Sequence, residues 1–432
     1  MERMLYGDLL AWKKSRNRKP LILEGARQTG KTWILKSFAE REYENLVYVN
    51  CDNNKDAENL FHDYDMTRVL RDLSAMSSQP VIPGKTLIFL DEIQEISRGI
   101  PSLKYFCEDA ADYHVVVAGS LLGISLHEGT GYPVGKVNTL RLYPMSFSEF
   151  LLAMGHRQIV ELAENANWTD FSVLKTKMTD LLKQYYYVGG MPEVVCRYSE
   201  NNDLAEVRSV QDEILMLYRR DFSRHIPPAQ IPRVNMVWDA IPSQLAKENK
   251  KFIYGAMKKG ARAKEFEVAI QWLTDAGLIH KVERISNLEK PLKFYRDNAA
   301  FKLFFLDVGL LGAMSGVSAK EVLTDNRVFV EYKGAFAENY VAQQYYASVH
   351  KELFYYVNER ASVEIDFVTQ GDSVHPIEVK AEENLKSKSL SSVLQKNPHA
   401  FGWRFSMSDY REQERMKNIP LYLADAWFRK HL

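Results

Sequence analysis

Paired cysteines, long apolar runs and net charge are what this sequence lacks. Three cysteines, Cys51, Cys107 and Cys196, lie far apart in 432 residues with no CxxC spacing. That pattern excludes a zinc knuckle or disulfide framework and suits a reducing, cytoplasmic setting. No apolar run approaches the ~18–20 residues that span a bilayer, so no membrane partner is expected. The longest buried-looking stretch, 114–124, reads as a strand and its turn. The opening MERMLYGDLLAWKKSRNRKP is charged throughout and has no apolar centre like that of a signal peptide. Lys plus Arg (56) equals Asp plus Glu (56), so no global field draws nucleic acid in. Any contact with DNA needs a local basic patch.

What is present is ordinary core-forming material. Apolar residues are 46% and charged residues 26%, which excludes disorder as the main state. At about 150 residues per domain the length suggests three domains. Short apolar runs recur at 21–23, 46–49, 87–90, 115–118 and 140–143, separated by helical spacers. Runs of this kind suit strands buried on both faces, so an α/β fold with a parallel sheet is expected. From 146 to about 225 the chain turns helical, broken by Gly189-Gly190 and Pro192, and the prolines at 227, 228 and 232 mark a boundary. The last hundred residues read as a helix (about 334–349) and strands at 353–357, 363–369 and 374–380.

Gly25-Ala26-Arg27-Gln28-Thr29-Gly30-Lys31-Thr32 matches GxxxxGK[ST], following the strand LILE and opening a helix. Glycines there let backbone N–H groups converge on phosphate oxygens, and the helix N-terminus adds partial positive charge. In this pattern Lys31 reaches the β- and γ-phosphates and the Thr32 hydroxyl holds Mg²⁺. The strand TLIFL ends in Asp91-Glu92, carboxylates suited to supporting Mg²⁺ and to polarising the attacking water. A further strand, HVVVAGS, ends at Ser120, a polar tip able to meet the γ-phosphate or the water.

With these motifs the chain resembles an AAA+ ATPase. More narrowly, it is similar to a bacterial and archaeal family of ATPases with a C-terminal restriction-endonuclease-like domain. The resemblance rests on GARQTGKT, IFLDEIQ, VVVAGSLLGISLHEGTGYPVGKV, LRLYPMSFSEFL, YYYVGGMPEVV and GAFAENYV…EIDF…PIEVKAEENLKSKSL, which cover most of the chain. It implies a P-loop NTPase core over 1–145, a helical lid over 146–230, a winged-helix-like domain over 231–295, a connector over 296–325 and a small α/β nuclease-like domain over 326–432. It also implies ATP and Mg²⁺ as ligands, and a basic finger, often from a neighbouring subunit of a homo-oligomer. Candidates for the finger are Arg141, Lys136, Arg219, Arg220 and Arg224.

Between 247 and 264 lie Lys247, Lys250, Lys251, Lys258, Lys259, Arg262 and Lys264 against a single acid, Glu248. This local excess falls where three helices and a strand resemble a winged helix-turn-helix, with 263–276 as the recognition helix, and makes DNA an expected partner. Downstream, alternation in EIDF puts Glu364 and Asp366 on one side, opposite Val363, Ile365 and Phe367. Glu378 and Lys380 alternate in the same way with Ile377 and Val379. Asp366, Glu378 and Lys380 match the spacing of PD-(D/E)xK nucleases, with Glu338 from the preceding helix as a further metal ligand and Lys380 as the lysine that activates water. The departure is Ile365, which stands where that pattern has proline. The sequence thus leads to an ATP-hydrolysing AAA+ protein coupled to DNA. One alternative is a slow nucleotide-gated switch whose nuclease-like domain is a recognition platform, and another is an ATP-licensed nuclease.

Overall fold

The computed structural model describes residues 1–119, 133–247, 251–323, 330–349, 351–360, 362–383 and 387–432. They form two compact units: Glu2–Tyr143 with Asp275–Gly277, and the remainder from Pro144 onward.

The first unit is built on a five-stranded parallel sheet of order β2-β3-β4-β1-β5. Its strands are β1 (Leu21–Glu24), β2 (Asn45–Asn50), β3 (Thr86–Asp91), β4 (His114–Ala118) and β5 (Asn138–Arg141). Apolar side chains alternate between two cores. Ile22, Val47, Val49, Ile88, Leu90, Val115 and Val117 face one; Leu21, Leu23, Leu87, Phe89, Val116 and Ala118 face the other, against Ile34, Leu35 and Phe38 of helix Lys31–Glu42. Double-sided burial is why these strands read as unbroken apolar runs. The fifth strand starts two residues before the run expected at 140–143. It is a half-exposed edge strand, so the apolar cue marks only its end.

The second unit carries a mixed eight-stranded sheet of order β12-β13-β11-β10-β9-β8-β6-β7. In chain order these strands are β6 (Ile279–Ile285), β7 (Arg296–Phe305), β8 (Phe354–Val357), β9 (Glu364–Gln370), β10 (Val374–Val379), β11 (Gly402–Ser406), β12 (Arg411–Gln413) and β13 (Met416–Pro420). The strand that follows helix Ala263–Asp275 is β6. It forms a hairpin with β7 and also pairs in parallel with β8, so the hairpin and the C-terminal strands share one sheet.

The helices Phe147–Ala153, Lys175–Val188, Pro192–Asn201 and Leu204–His225 belong to this same unit. A buried polar network joins them to helix Val330–Ser348. The Asp307 carboxylate accepts from the N–H of Gly190 (2.6 Å), the N–H of Leu310 (2.9 Å) and the Gln343 amide (2.9 Å). Gln343 and Gln344 both donate to the Tyr185 hydroxyl, which donates to the Met145 carbonyl at 2.5 Å. The Gln344 side chain also accepts from the Phe147 N–H (2.7 Å). Gly190 is required where it stands, because a Cβ there would lie 2.2 Å from the Met145 oxygen.

Removing the Asp307 carboxylate orphans two buried N–H donors and an amide. Asp307→Ala is expected to cost at least about 3 kcal/mol in urea unfolding. Asp239→Ala, which breaks only an exposed ion pair with Arg219, is expected to change stability by under about 0.5 kcal/mol. Equal effects would contradict the network's importance.

A phosphate loop and a carboxylate cluster

In the first unit β1 runs into the loop Gly25–Thr32, and the loop into helix Lys31–Glu42. Gly25 (φ 147°) and Gly30 (φ 91°) adopt left-handed backbone, as does Gln28 (φ 66°). Gly25 answers a second demand as well: a Cβ on it would lie 2.3 Å from the Leu142 carbonyl, where β5 passes. The loop is braced from outside the motif. Arg3, nearly buried, donates to the carbonyls of Thr29 (2.9 Å) and Tyr143 (2.6 Å). Thr29 donates to the Ala26 carbonyl at 2.9 Å. Arg27 is exposed.

Lys31 is buried, and its ammonium donates to the carbonyls of Gly25 (2.8 Å) and Ala26 (2.9 Å). Burial pushes its pKa down to about 8, against the pull of the Glu92 and Asp91 charges. The Thr32 hydroxyl donates to Asp91 Oδ2 at 2.9 Å, and the Tyr48 hydroxyl donates to the same oxygen at 3.2 Å. Burial raises the Asp91 pKa, helped by Glu92 and opposed by the Thr32 and Tyr48 hydrogen bonds. Glu92 follows in a left-handed conformation (φ 51°), uncommon for a residue with a Cβ. Its carboxylate accepts from the Gln94 amide at 2.6 Å.

The structure thus brings Gly25–Thr32, Asp91 and Glu92 together at the ends of neighbouring elements. Ser120 lies outside the described residues. Arg141 is held by Glu24 on the adjacent strand at 3.0 Å, and Lys136 by Glu108 at 2.8 Å. Arg219 pairs with Asp239 and Arg220 lies against Met216. Arg3, Tyr48 and Gln94 were missed from sequence; Tyr48 alone had a signal, a polar tip on a strand beside the carboxylate strand.

In the second unit Ile377 lies opposite Phe367, and the next step along β9 and β10 sets Glu378 beside Asp366. The expected metal ligands Glu338, Asp366 and Glu378 all lie among the described residues. Among the described residues, no group of three or more His, Cys, Asp or Glu is placed to hold a metal ion. The carboxylates have other partners. Asp366 accepts the Val379 N–H (2.8 Å), and Glu378 pairs with Lys380 (2.9 Å). Glu364 pairs at 2.5 Å with Lys302 of β7, a residue absent from the sequence reading. Burial disfavours the Lys302 ammonium, but the charges of Glu338, Asp366 and Glu364 outweigh it and raise its pKa.

Of the basic segment, Lys251, Lys258, Lys259, Arg262 and Lys264 are exposed, and residues 248–250 lie outside the description. A 3₁₀ turn, Tyr254–Ala256, precedes helix Ala263–Asp275. Helix Ala263–Asp275 exposes Glu265 and Glu267 as well as Lys264, so its outer face is not basic. No helix of the described residues is long and apolar enough to cross a membrane.

Residues 17–151 match the family model described as "AAA domain". That match falls on the first unit, whose loop and parallel strand order fit a P-loop AAA domain. Residues 179–321 match "Domain of unknown function (DUF8612)" and residues 333–424 match "Domain of unknown function (DUF4143)". Among curated proteins, none matches the chain. Similar solved structures include a Walker-type ATPase of Pyrococcus abyssi, at 15% identity, 73% of this chain, 95% of that one and a TM-score of 0.47. The ORC1 protein of Aeropyrum pernix, solved in complex with DNA, gives 14% identity, 72% and 90% coverage and a TM-score of 0.27. The RuvB Holliday junction branch migration motor of Thermotoga maritima gives 14% identity, 63% and 85% coverage and 0.30. At these values the likenesses carry nothing about activity.

The depressed Lys31 pKa has a signed consequence. Between pH about 8 and 10.5 the unfolded chain holds more protons at this residue than the folded one, so folding stability rises with pH through that window. Below pH 8 the buried ammonium costs the apo fold up to about 3 kcal/mol. The stability of wild type relative to Lys31→Met, both without nucleotide, is therefore expected to climb from pH 8 to 10.5. Parallel curves would show Lys31 to be unperturbed.

Proposed function

We propose that the protein hydrolyses ATP in an Mg²⁺-dependent reaction at the Gly25–Thr32 loop and couples this to DNA. One observation carries the reading: the Thr32 hydroxyl meets Asp91 at 2.9 Å, beside the buried Lys31 ammonium. Two hard oxygen ligands side by side at a phosphate-binding loop fit Mg²⁺, which needs few protein ligands beyond phosphate and water. When bound there, the metal supplies charge neutralisation between the β- and γ-phosphates.

This chain's own residues do the rest. The Lys31 ammonium exchanges the loop carbonyls of Gly25 and Ala26 for phosphate oxygens, gaining a charge-assisted contact. Loop N–H groups hold the β-phosphate. The Glu92 carboxylate takes a proton from water, whose oxygen attacks the γ-phosphorus while the bond to the β,γ-bridging oxygen breaks and ADP leaves. Tyr48 holds Asp91 in place through its hydroxyl.

DNA contact is assigned to the exposed bases Lys251, Lys258, Lys259, Arg262 and Lys264, in the winged-helix-like stretch 231–295. Because Glu265 and Glu267 share the outer face of helix Ala263–Asp275, phosphate is met by the turn before the helix rather than by the helix inside a groove. Over 326–432 a nuclease-like fold is supported by Asp366 beside Glu378 on adjacent strands. Mg²⁺, ATP, DNA and a homo-oligomer are the partners this reading requires.

Phosphate release is the test, measured with and without duplex DNA. Lys31→Ala and Glu92→Gln are each expected to cut turnover at least ~10²-fold, and Glu92→Gln to keep ATP binding. Reversing Lys258 and Lys259 to Glu should abolish stimulation by DNA and flatten its salt dependence. Turnover unaffected by Glu92→Gln would overturn the mechanism. Turnover indifferent to DNA would leave the slow protein-binding switch.

A further inference from the structure

We propose that Lys302 is the resident cation of the C-terminal carboxylate cluster, holding the place that a divalent metal would otherwise take, so that this sheet face works without metal. The proposal is independent of the ATPase reading.

Lys302 is among the least expected residues of the chain. It lies in the apolar run Ala300–Phe305 and is 1% exposed. An ammonium is tolerated at such depth only where carboxylates surround it. Its Nζ lies 2.5 Å from Glu364 and passes over the Tyr355 ring, 4.9 Å from the centroid, to reach across the sheet. Its charge also interacts with Glu338 and Asp366, two of the three acids that a metal would need.

The remaining acid is occupied from the other side. Lys380 binds Glu378 at 2.9 Å, and the buried Arg404 adds its charge to that of Lys380 at Glu378. One Glu378 oxygen, Oε2, is buried with no hydrogen-bond partner. A dication there would meet the like charges of Lys380, 2.9 Å from Glu378, and of Arg404, whose charge also acts at Glu378. Asp366 accepts the Val379 N–H and Glu364 pairs with Lys302, so both already have partners. Four acids, Glu338, Glu364, Asp366 and Glu378, thus hold a neighbourhood of three bases. A polar cluster of this kind orders a sheet face, with Lys302 and Arg404 buried inside it.

Mn²⁺ titration of the full-length, nucleotide-free protein, followed by paramagnetic resonance, decides the matter. Wild type and Asp366→Asn are expected to bind Mn²⁺ equally, and wild type to leave supercoiled plasmid intact with Mn²⁺. Lys302→Met, which keeps the stem and removes the charge, is expected to gain a site at least tenfold tighter than any in wild type, lost again in Lys302→Met/Asp366→Asn. If Lys302→Met does not fold, Lys302→Met/Glu364→Gln removes ion and counter-ion together and is expected to gain the same site. Wild-type Mn²⁺ binding or plasmid nicking that Asp366→Asn abolishes would overturn the proposal. So would a folded Lys302 variant that gains no site.

Discussion

A carboxylate taken out of water is costly unless the fold supplies donors or cations to meet it. This chain buries several, at Asp91, Asp307, Asp425, Glu338 and Glu378. Asp91 is met by the hydroxyls of Thr32 and Tyr48, which ties the carboxylate strand to the phosphate loop. Asp307 is met by backbone N–H groups and Gln343, which ties the Gly189-Gly190 turn to helix Val330–Ser348. Asp425 accepts from the Ser148 N–H and from Arg429, closing the C-terminal helix onto the capping box of helix Phe147–Ala153. The architecture of each unit follows from how these charges are satisfied. Segments far apart in sequence become neighbours because each holds part of one buried polar set.

Much of the first unit was legible because its signals are local. Double-sided burial writes unbroken apolar runs, and the phosphate loop needs particular residues at fixed spacing between a strand and a helix. The first strands of the C-terminal region were legible through alternation, and β8 to β10 lie within a residue or so of their expected places. Long-range pairings were not legible. Nothing near residues 279–305 says that β6 will pair with a strand some seventy residues later. Asp307 read only as part of a glycine-bearing connector, since its three donors come from elsewhere in the chain. Arg3 is an arginine in a charged opening segment until the Thr29 carbonyl is brought to it.

Lys302 is the instructive case. A lysine inside FKLFF breaks an apolar run at a position whose neighbours are buried, and that break was the available signal. Alternation correctly put Glu364, Asp366 and Glu378 on one side, but spacing alone reports which acids share a face and not which cations share it with them. Lys302, from a distant strand, pairs with Glu364 and brings a cation to that face. The recognition-helix reading met the same limit: counting bases over 247–264 found the excess, while the exposed Glu265 and Glu267 decide which surface carries it.

We propose that Thr32 and Asp91 together make the first unit an Mg²⁺-dependent nucleotide site. Calorimetric titration of ATP with and without Mg²⁺, for wild type and Asp91→Asn, tests it most directly. The account predicts that Mg²⁺ tightens ATP binding at least tenfold in wild type and leaves Asp91→Asn unchanged, with similar Mg²⁺-free affinities for the two. Wild-type ATP binding that is indifferent to Mg²⁺, or absent altogether, would contradict it.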